Sequence, residues 1–202
     1  MTDTKEKIMQ SAAHLFSERG YDKVTMREIA KAVGIHSATI YHHFLSKGDI
    51  LSSLYAFYAS HRSREGSNLD ELLQLVETHP PHEVLRRSTF HFHEDVREML
   101  DAILVTAARR ICAEPESEQF IRENIFASIE NTLRPLLERM VELEKIEPLD
   151  IDAFLKIVSY FCFSAAALSH SSFRQTPDAY YASIAQIFSL VVSKQYESDC
   201  GS

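Results

Sequence analysis

The chain has 202 residues, 45% of them apolar, enough for one mid-sized globular body or a small domain joined to a larger one. With five glycines, six prolines and no segment that alternates apolar and polar residues over a strand's length, it reads as an all-α protein of about nine to ten helices. The net charge of −8 excludes a uniformly nucleic-acid-binding surface, and no apolar run approaches the ~18 residues of a membrane span.

Ile8, Ala12, Leu15 and Phe16 recur at helical spacing up to Gly20, which predicts a first helix that stops there. Thr25-Met26-Arg27-Glu28 is a capping box, opening a short helix expected to bury Ile29, Ala30 and Val33. Gly34 ends it after two turns. Ile40 and Phe44 then repeat at i, i+4, so a third helix starts within a few residues. Two short helices joined by a glycine-containing turn make a helix-turn-helix.

Lys47 to about Glu65 predicts a longer helix with Ile50, Leu51, Leu54, Phe57 and Tyr58 on one face, broken at Gly66-Ser67-Asn68. Pro80-Pro81, Pro115 and Pro148 mark further breaks, and Thr176-Pro177 starts a last helix, dividing the remainder into roughly six. Pro135 sits inside a periodic stretch from about Ser117 to Lys145, where a kink is expected rather than an end. The domain boundary implied is 1–46 for the helix-turn-helix and 47–202 for a larger helical domain.

Charge is unevenly distributed. Lys5, Lys7, Arg19, Lys23, Arg27, Lys31 and Lys47 outnumber Asp3, Glu6, Glu18, Asp22, Glu28 and Asp49 in the first fifty residues, so the negative excess lies entirely downstream. Phosphate affinity is thereby confined to the N-terminal helices. The three cysteines form no CxxC pair and are expected to be buried thiols in a reducing compartment, and the polar N-terminus does not read as a signal peptide; the expected location is cytoplasmic.

Gly20-Tyr21, Val24-Thr25-Met26-Arg27-Glu28-Ile29-Ala30, Val33-Gly34-Ile35, Thr39-Ile40-Tyr41-His42-His43-Phe44 and Ser46-Lys47, in unbroken order, resemble the N-terminal domain of the TetR family of transcriptional regulators. The resemblance covers about 50 residues and implies a repressor that binds double-stranded DNA at a palindromic operator as a homodimer and is released by a small-molecule effector. It implies phosphate contacts from Thr25, Tyr41, His43 and Lys47, and a guanine contact from Arg27. Independently of the family, a recognition helix needs small polar or aromatic groups on its exposed turns, and Ser37, Thr39, Tyr41 and His42 supply them. Packing roles for Tyr41 and His43, and a solvated helix-face charge for Arg27, are the plain alternatives. Three positions depart from the family. His36 stands at the usual N-cap, leaving the cap to its imidazole or to Ser37; His42 replaces a common aromatic, which makes pH-sensitive affinity an expectation; and Gly48 replaces a common acidic residue.

Resemblance also implies an effector pocket between residues 82 and 173. Helical phase nominates Thr89, Phe92, Met99, Ile103, Phe126 and Phe161, with His93 and Tyr160 as polar anchors, which suits a mainly apolar effector. In the family the last two helices, here about Asp150 to Phe173 and Pro177 to Gln195, form the dimer interface. Phe161, Ala165, Leu168, Tyr181, Ile184 and Phe188 are its candidates. His91, His93, Glu94 and Asp95 lack a third and fourth ligand at usable spacing, so no metal and no cofactor is expected. An enzyme would need paired Glu-x-x-His ligands or a nucleophile with its base, and neither is present. The alternative to effector control is a DNA-binding regulator governed by a partner protein or by oligomerisation.

Overall fold

The computed structural model describes residues 3–65, 69–88, 94–168, 183 and 186–188. Ten α-helices and no strand are found among them. The breaks expected at Gly66-Ser67-Asn68 and Thr176-Pro177 lie outside the described residues, as do Thr89, Phe92, His93, Tyr181 and Ile184.

The helices fall into two compact units. The first contains α1 (Thr4–Arg19), α2 (Met26–Val33), α3 (Ser37–His43), α4 (Lys47–Glu65), α7 (Glu94–Arg110) and α8 (Pro115–Ile121). A 3-10 turn, Tyr21–Lys23, links α1 to α2. Gly20 closes α1 at φ 85°, and Gly34 closes α2 in the left-handed region at φ 79°. Gly34 N–H reaches Lys31 O while Ile35 N–H reaches Ala30 O, so a glycine is needed where the chain reverses between the two short helices.

Ile8, Ala12 and Phe16 of α1, Ile29 and Ala30 of α2, Ile40 and Phe44 around α3, and Ile50, Leu51 and Leu54 of α4 are all buried. Three side chains depart from the expected pattern: Leu15, Val33 and Phe57 are only half-buried, and Met9, Ala13 and Tyr55 are buried instead. On α4 the reason is α8. Phe120 stacks on Tyr55 at 4.2 Å and meets Tyr58 edge-on at 5.2 Å, and Tyr55 Oη hydrogen-bonds Ser117 Oγ at 2.9 Å. Burial raises the Tyr55 phenol pKa to about 12.

The second unit contains α5 (Leu69–Thr78), α6 (Pro81–Ser88), α9 (Ala127–Glu142) and most of α10 (Ile151–Leu168). Leu72, Val76, Val84, Leu85, Leu136, Leu137 and Met140 are buried here. Lys145 Nζ donates to the carbonyls of Val76, Glu77 and His79, satisfying the C-terminal end of α5, and Arg139 pairs with Glu77 and Glu142. Asp150 caps α10 through Ala153 N–H at 3.0 Å.

The stretch expected to run as one helix from Ser117 to Lys145 is interrupted by a π-helical segment, Arg122–Phe126, while α9 continues through Pro135. Asn124 explains the interruption locally: its side-chain amide donates to Phe120 O at 3.0 Å, the carbonyl that a regular α-helix offers to the backbone N–H of residue 124. Cys112, expected to be buried, is exposed because it lies in the turn after α7, and Cys162 is half-buried.

Candidate nucleic-acid interface

The site is built from the ends of the short helices. Thr25 Oγ1 accepts from Glu28 N–H at 3.3 Å and donates to Glu28 Oε2 at 2.8 Å; Thr25 N–H donates to the same oxygen at 2.8 Å. Arg19 Nη2 completes the arrangement on Glu28 Oε1 at 2.7 Å. The Thr25 hydroxyl carries one proton, already committed to Glu28, so a phosphate contact from this hydroxyl requires Glu28 to let go. These hydrogen bonds, that from Thr25 first, lower the Glu28 pKa from 4.5 to about 2.

His36 is the N-cap of α3 and makes no side-chain capping bond, so α3 begins at Ser37 and neither His36 nor Ser37 acts as the expected cap. Along α3, Ile40 and Phe44 turn inward, Ser37, Tyr41 and His42 are exposed, and Thr39 and His43 are half-buried. Tyr41 is 50% exposed. Arg27 and Lys31, one turn apart on α2, make no ion pair or hydrogen bond among the described residues. With Gly34, Ile35, His36 and Ser37 they line an open concavity of about 340 Å³ beside the start of α3.

Lys47 is held more firmly than its sequence position suggests. Its Nζ donates to Tyr21 O at 2.7 Å and Val24 O at 2.9 Å and lies 4.2 Å from the Tyr21 ring centroid. Burial lowers its pKa. Asp49 accepts from Leu45 N–H at 3.0 Å and donates its own N–H to Ser46 Oγ at 3.1 Å, so Asp49 secures the start of α4 although residue 48 is glycine.

Sequence reasoning missed Lys31 and Leu45. Lys31 was legible as the i+4 neighbour of Arg27; Leu45, 83% exposed between α3 and α4, breaks the polar surface with no periodic signal.

The effector candidates are distributed over both units. Met99 and Ile103 are buried on α7, in the first. Phe126, Tyr160 and Phe161 belong to the second, where the Phe126 ring meets Tyr160 at 5.8 Å and Phe163 at 6.1 Å. Tyr160 is 62% exposed on α10, one turn from the equally exposed Ile157. Of the dimer candidates, Phe161 and Ala165 are half-buried on α10, Leu168 ends that helix, and Phe188 is buried with its ring 6.1 Å from Phe154. Among the described residues no group of three His, Cys, Asp or Glu side chains is placed to hold a metal, and no helix is long and apolar enough to cross a membrane. His91 and His93 lie outside the described residues.

The family model for bacterial regulatory proteins of the tetR family matches residues 8–54, which span α1 to the first turns of α4. PfmR, a TetR family transcriptional regulator from Thermus thermophilus, superimposes with a TM-score of 0.62 at 26% identity, covering 92% of this chain and 96% of that one. Residues 8–54 thus carry the N-terminal domain of the tetR family of bacterial regulatory proteins. YerO, an HTH-type transcriptional regulator of Bacillus subtilis, is 32% identical over 119 residues, 59% of this chain and 39% of that protein. IcaR of Staphylococcus aureus, the negative transcriptional regulator of the biofilm operon icaADBC, is 52% identical over 46 residues, 23% of this chain and 25% of its own length. The matches therefore span well under half the length of either relative.

The capping box makes a prediction. Thr25→Ala should cost about 1 kcal/mol at neutral pH in chemical denaturation. Because the folded-state pKa of Glu28 is depressed, its contribution is present above pH 4.5 and fades as pH falls towards 2. Stability measured across that window should fall less steeply in Thr25→Ala than in the parent.

Proposed function

We propose that the chain is a transcriptional repressor that binds a palindromic operator as a homodimer and is released by a small, mainly apolar effector. In this reading residues 1–46 read DNA, 47–202 bind effector and dimerise, and the protein acts in the cytoplasm where its DNA lies. The observation that carries it is the combination at α2 and α3. A short helix exposes Ser37, Tyr41 and His42 over a buried Ile40, and two cations without a carboxylate partner stand beside it. Several arginines elsewhere are neutralised at close range, as in Arg87 with Glu83, Arg122 with Glu118 and Arg134 with Asp152.

Ser37, Thr39, Tyr41 and His42 are assigned to base edges or sugars in the major groove, with Arg27 towards a guanine, and Thr25, His43 and Lys47 to phosphates. IcaR is by name a negative regulator, which favours repression over activation for a chain 52% identical to it over 46 residues. Ile157 and Tyr160 join Phe161 and Ala165 in the dimer surface proposed for α10, since a two-fold operator calls for two recognition helices related by a two-fold axis. Met99 and Ile103, both buried on α7, supply the apolar character expected of the effector site.

Two experiments test the reading. Selection of bound duplexes from a random pool should return a palindrome, and Thr39→Ala or His42→Ala should change the preferred base at one position per half-site by roughly 1 to 3 kcal/mol. An unchanged consensus removes these side chains from base reading. For the effector, a compound that raises the melting temperature should bind 10- to 100-fold more weakly in the presence of saturating operator, about 1.4 to 2.8 kcal/mol of coupling. Equal affinity in both conditions means that the compound is not the inducer.

A further inference from the structure

Arg110, the last residue of α7, is 7% exposed, an unusual setting for a guanidinium. Its Cζ stands 3.9 Å from the Tyr21 ring centroid, Nη1 donates to Asp22 Oδ1 at 3.1 Å, and Nη2 pairs with Glu114. Nε is buried with no hydrogen-bond partner. The neighbouring Arg109 donates to Ser17 O in the last turn of α1. The same Tyr21 ring is met by Lys47 Nζ from α4, and Lys47 takes the Tyr21 carbonyl as well.

Tyr21 belongs to a three-residue 3-10 turn whose first cap, Gly20, offers no side chain. Such a turn has little stability of its own, so its place is set by what clamps it. Two cations clamp it, one from α4 and one from α7, and Asp22 within the turn is the counter-charge to Arg110. Two like charges near one ring repel, and the arrangement persists because Asp22 and Glu114 neutralise the guanidinium and two carbonyls take the ammonium.

The geometry points to Arg110 as a positioning residue for DNA binding: it fixes Tyr21 and, through that turn, the place of the Lys47 ammonium. Arg110 itself is buried among carboxylates and meets no phosphate. When it is lost, the carbonyls of Tyr21 and Val24 lose their fixed position, and Lys47 must be ordered at the moment it contacts DNA. The DNA-reading helices are then tied to α7, the helix that carries Met99 and Ile103, by a route that does not run along α4. The inference rests on the reading that Lys47 meets a phosphate.

The test uses the full chain and a random-sequence duplex, with binding measured over a range of salt concentrations for Lys47→Ala, Arg110→Met and the double variant. Lys47→Ala should flatten the slope of log affinity against log salt by about 0.9, one phosphate contact. Arg110→Met should weaken binding about tenfold with a similar loss of slope, and should add little in the Lys47→Ala background. A parental slope in Arg110→Met, or a full additive loss in the double variant, overturns the inference while leaving the Lys47 contact intact. A parental slope in Lys47→Ala overturns the contact and the inference together. Should Arg110→Met fail to fold, Arg110→Lys, which leaves the net charge unchanged but removes the fork that reaches both Asp22 and Glu114, gives the same reading: a lost slope supports the linkage and a parental slope refutes it.

Discussion

Everything proposed for this protein depends on two helices that are too short to exist alone. α2 has eight residues and α3 seven, whereas isolated helices below ~12–15 residues are marginal in water. Their order comes from burial of Ile29, Ala30, Ile40 and Phe44, and from ends closed by the Thr25–Glu28 box and the left-handed Gly34. A surface that reads bases must not spend binding free energy on ordering itself. In the proposed reading, the buried side of α3 is thus as much a part of recognition as Tyr41 and His42 on its exposed side.

Charge is managed by the same economy of partners. The chain is acidic overall, and many of its arginines are held in pairs such as Arg134 with Asp152 or Arg139 with Glu77. Arg27 and Lys31 stand apart from this pattern beside the start of α3. Lys47 occupies an intermediate position: it is tied to two carbonyls and lies over an aromatic ring, so it is a strut as well as a cation. An ammonium has three donors, and two carbonyl bonds leave one for a phosphate oxygen.

Local chemistry was legible in the sequence wherever the signal spans a few residues. Thr25 with Glu28, Gly20, Gly34 and the Lys47–Glu65 helix follow from capping and periodicity, and the order of motifs from Gly20 to Lys47 pointed to the family that the structure and the comparisons support. What was not legible is non-local. The Lys47 bonds to Tyr21 and Val24 cross 26 and 23 residues, the Arg110 pair with Asp22 crosses 88, and Tyr55 with Ser117 crosses 62. The π-helical segment was missed because a single amide, Asn124, competes for one carbonyl in an otherwise periodic stretch. On α10, helical phase selected Phe161 and Ala165 without revealing that Ile157 and Tyr160 are the more exposed apolar pair.

The central claim is that DNA docks on α2, α3 and the start of α4, and amide hydrogen exchange of the full chain with and without a selected duplex tests it most directly. The account predicts slowed exchange in residues 25–47 on DNA binding, where the short helices and their capping bonds are clamped from outside. Protection confined to α9 and α10, or no change in residues 25–47 while the duplex is bound, would contradict it.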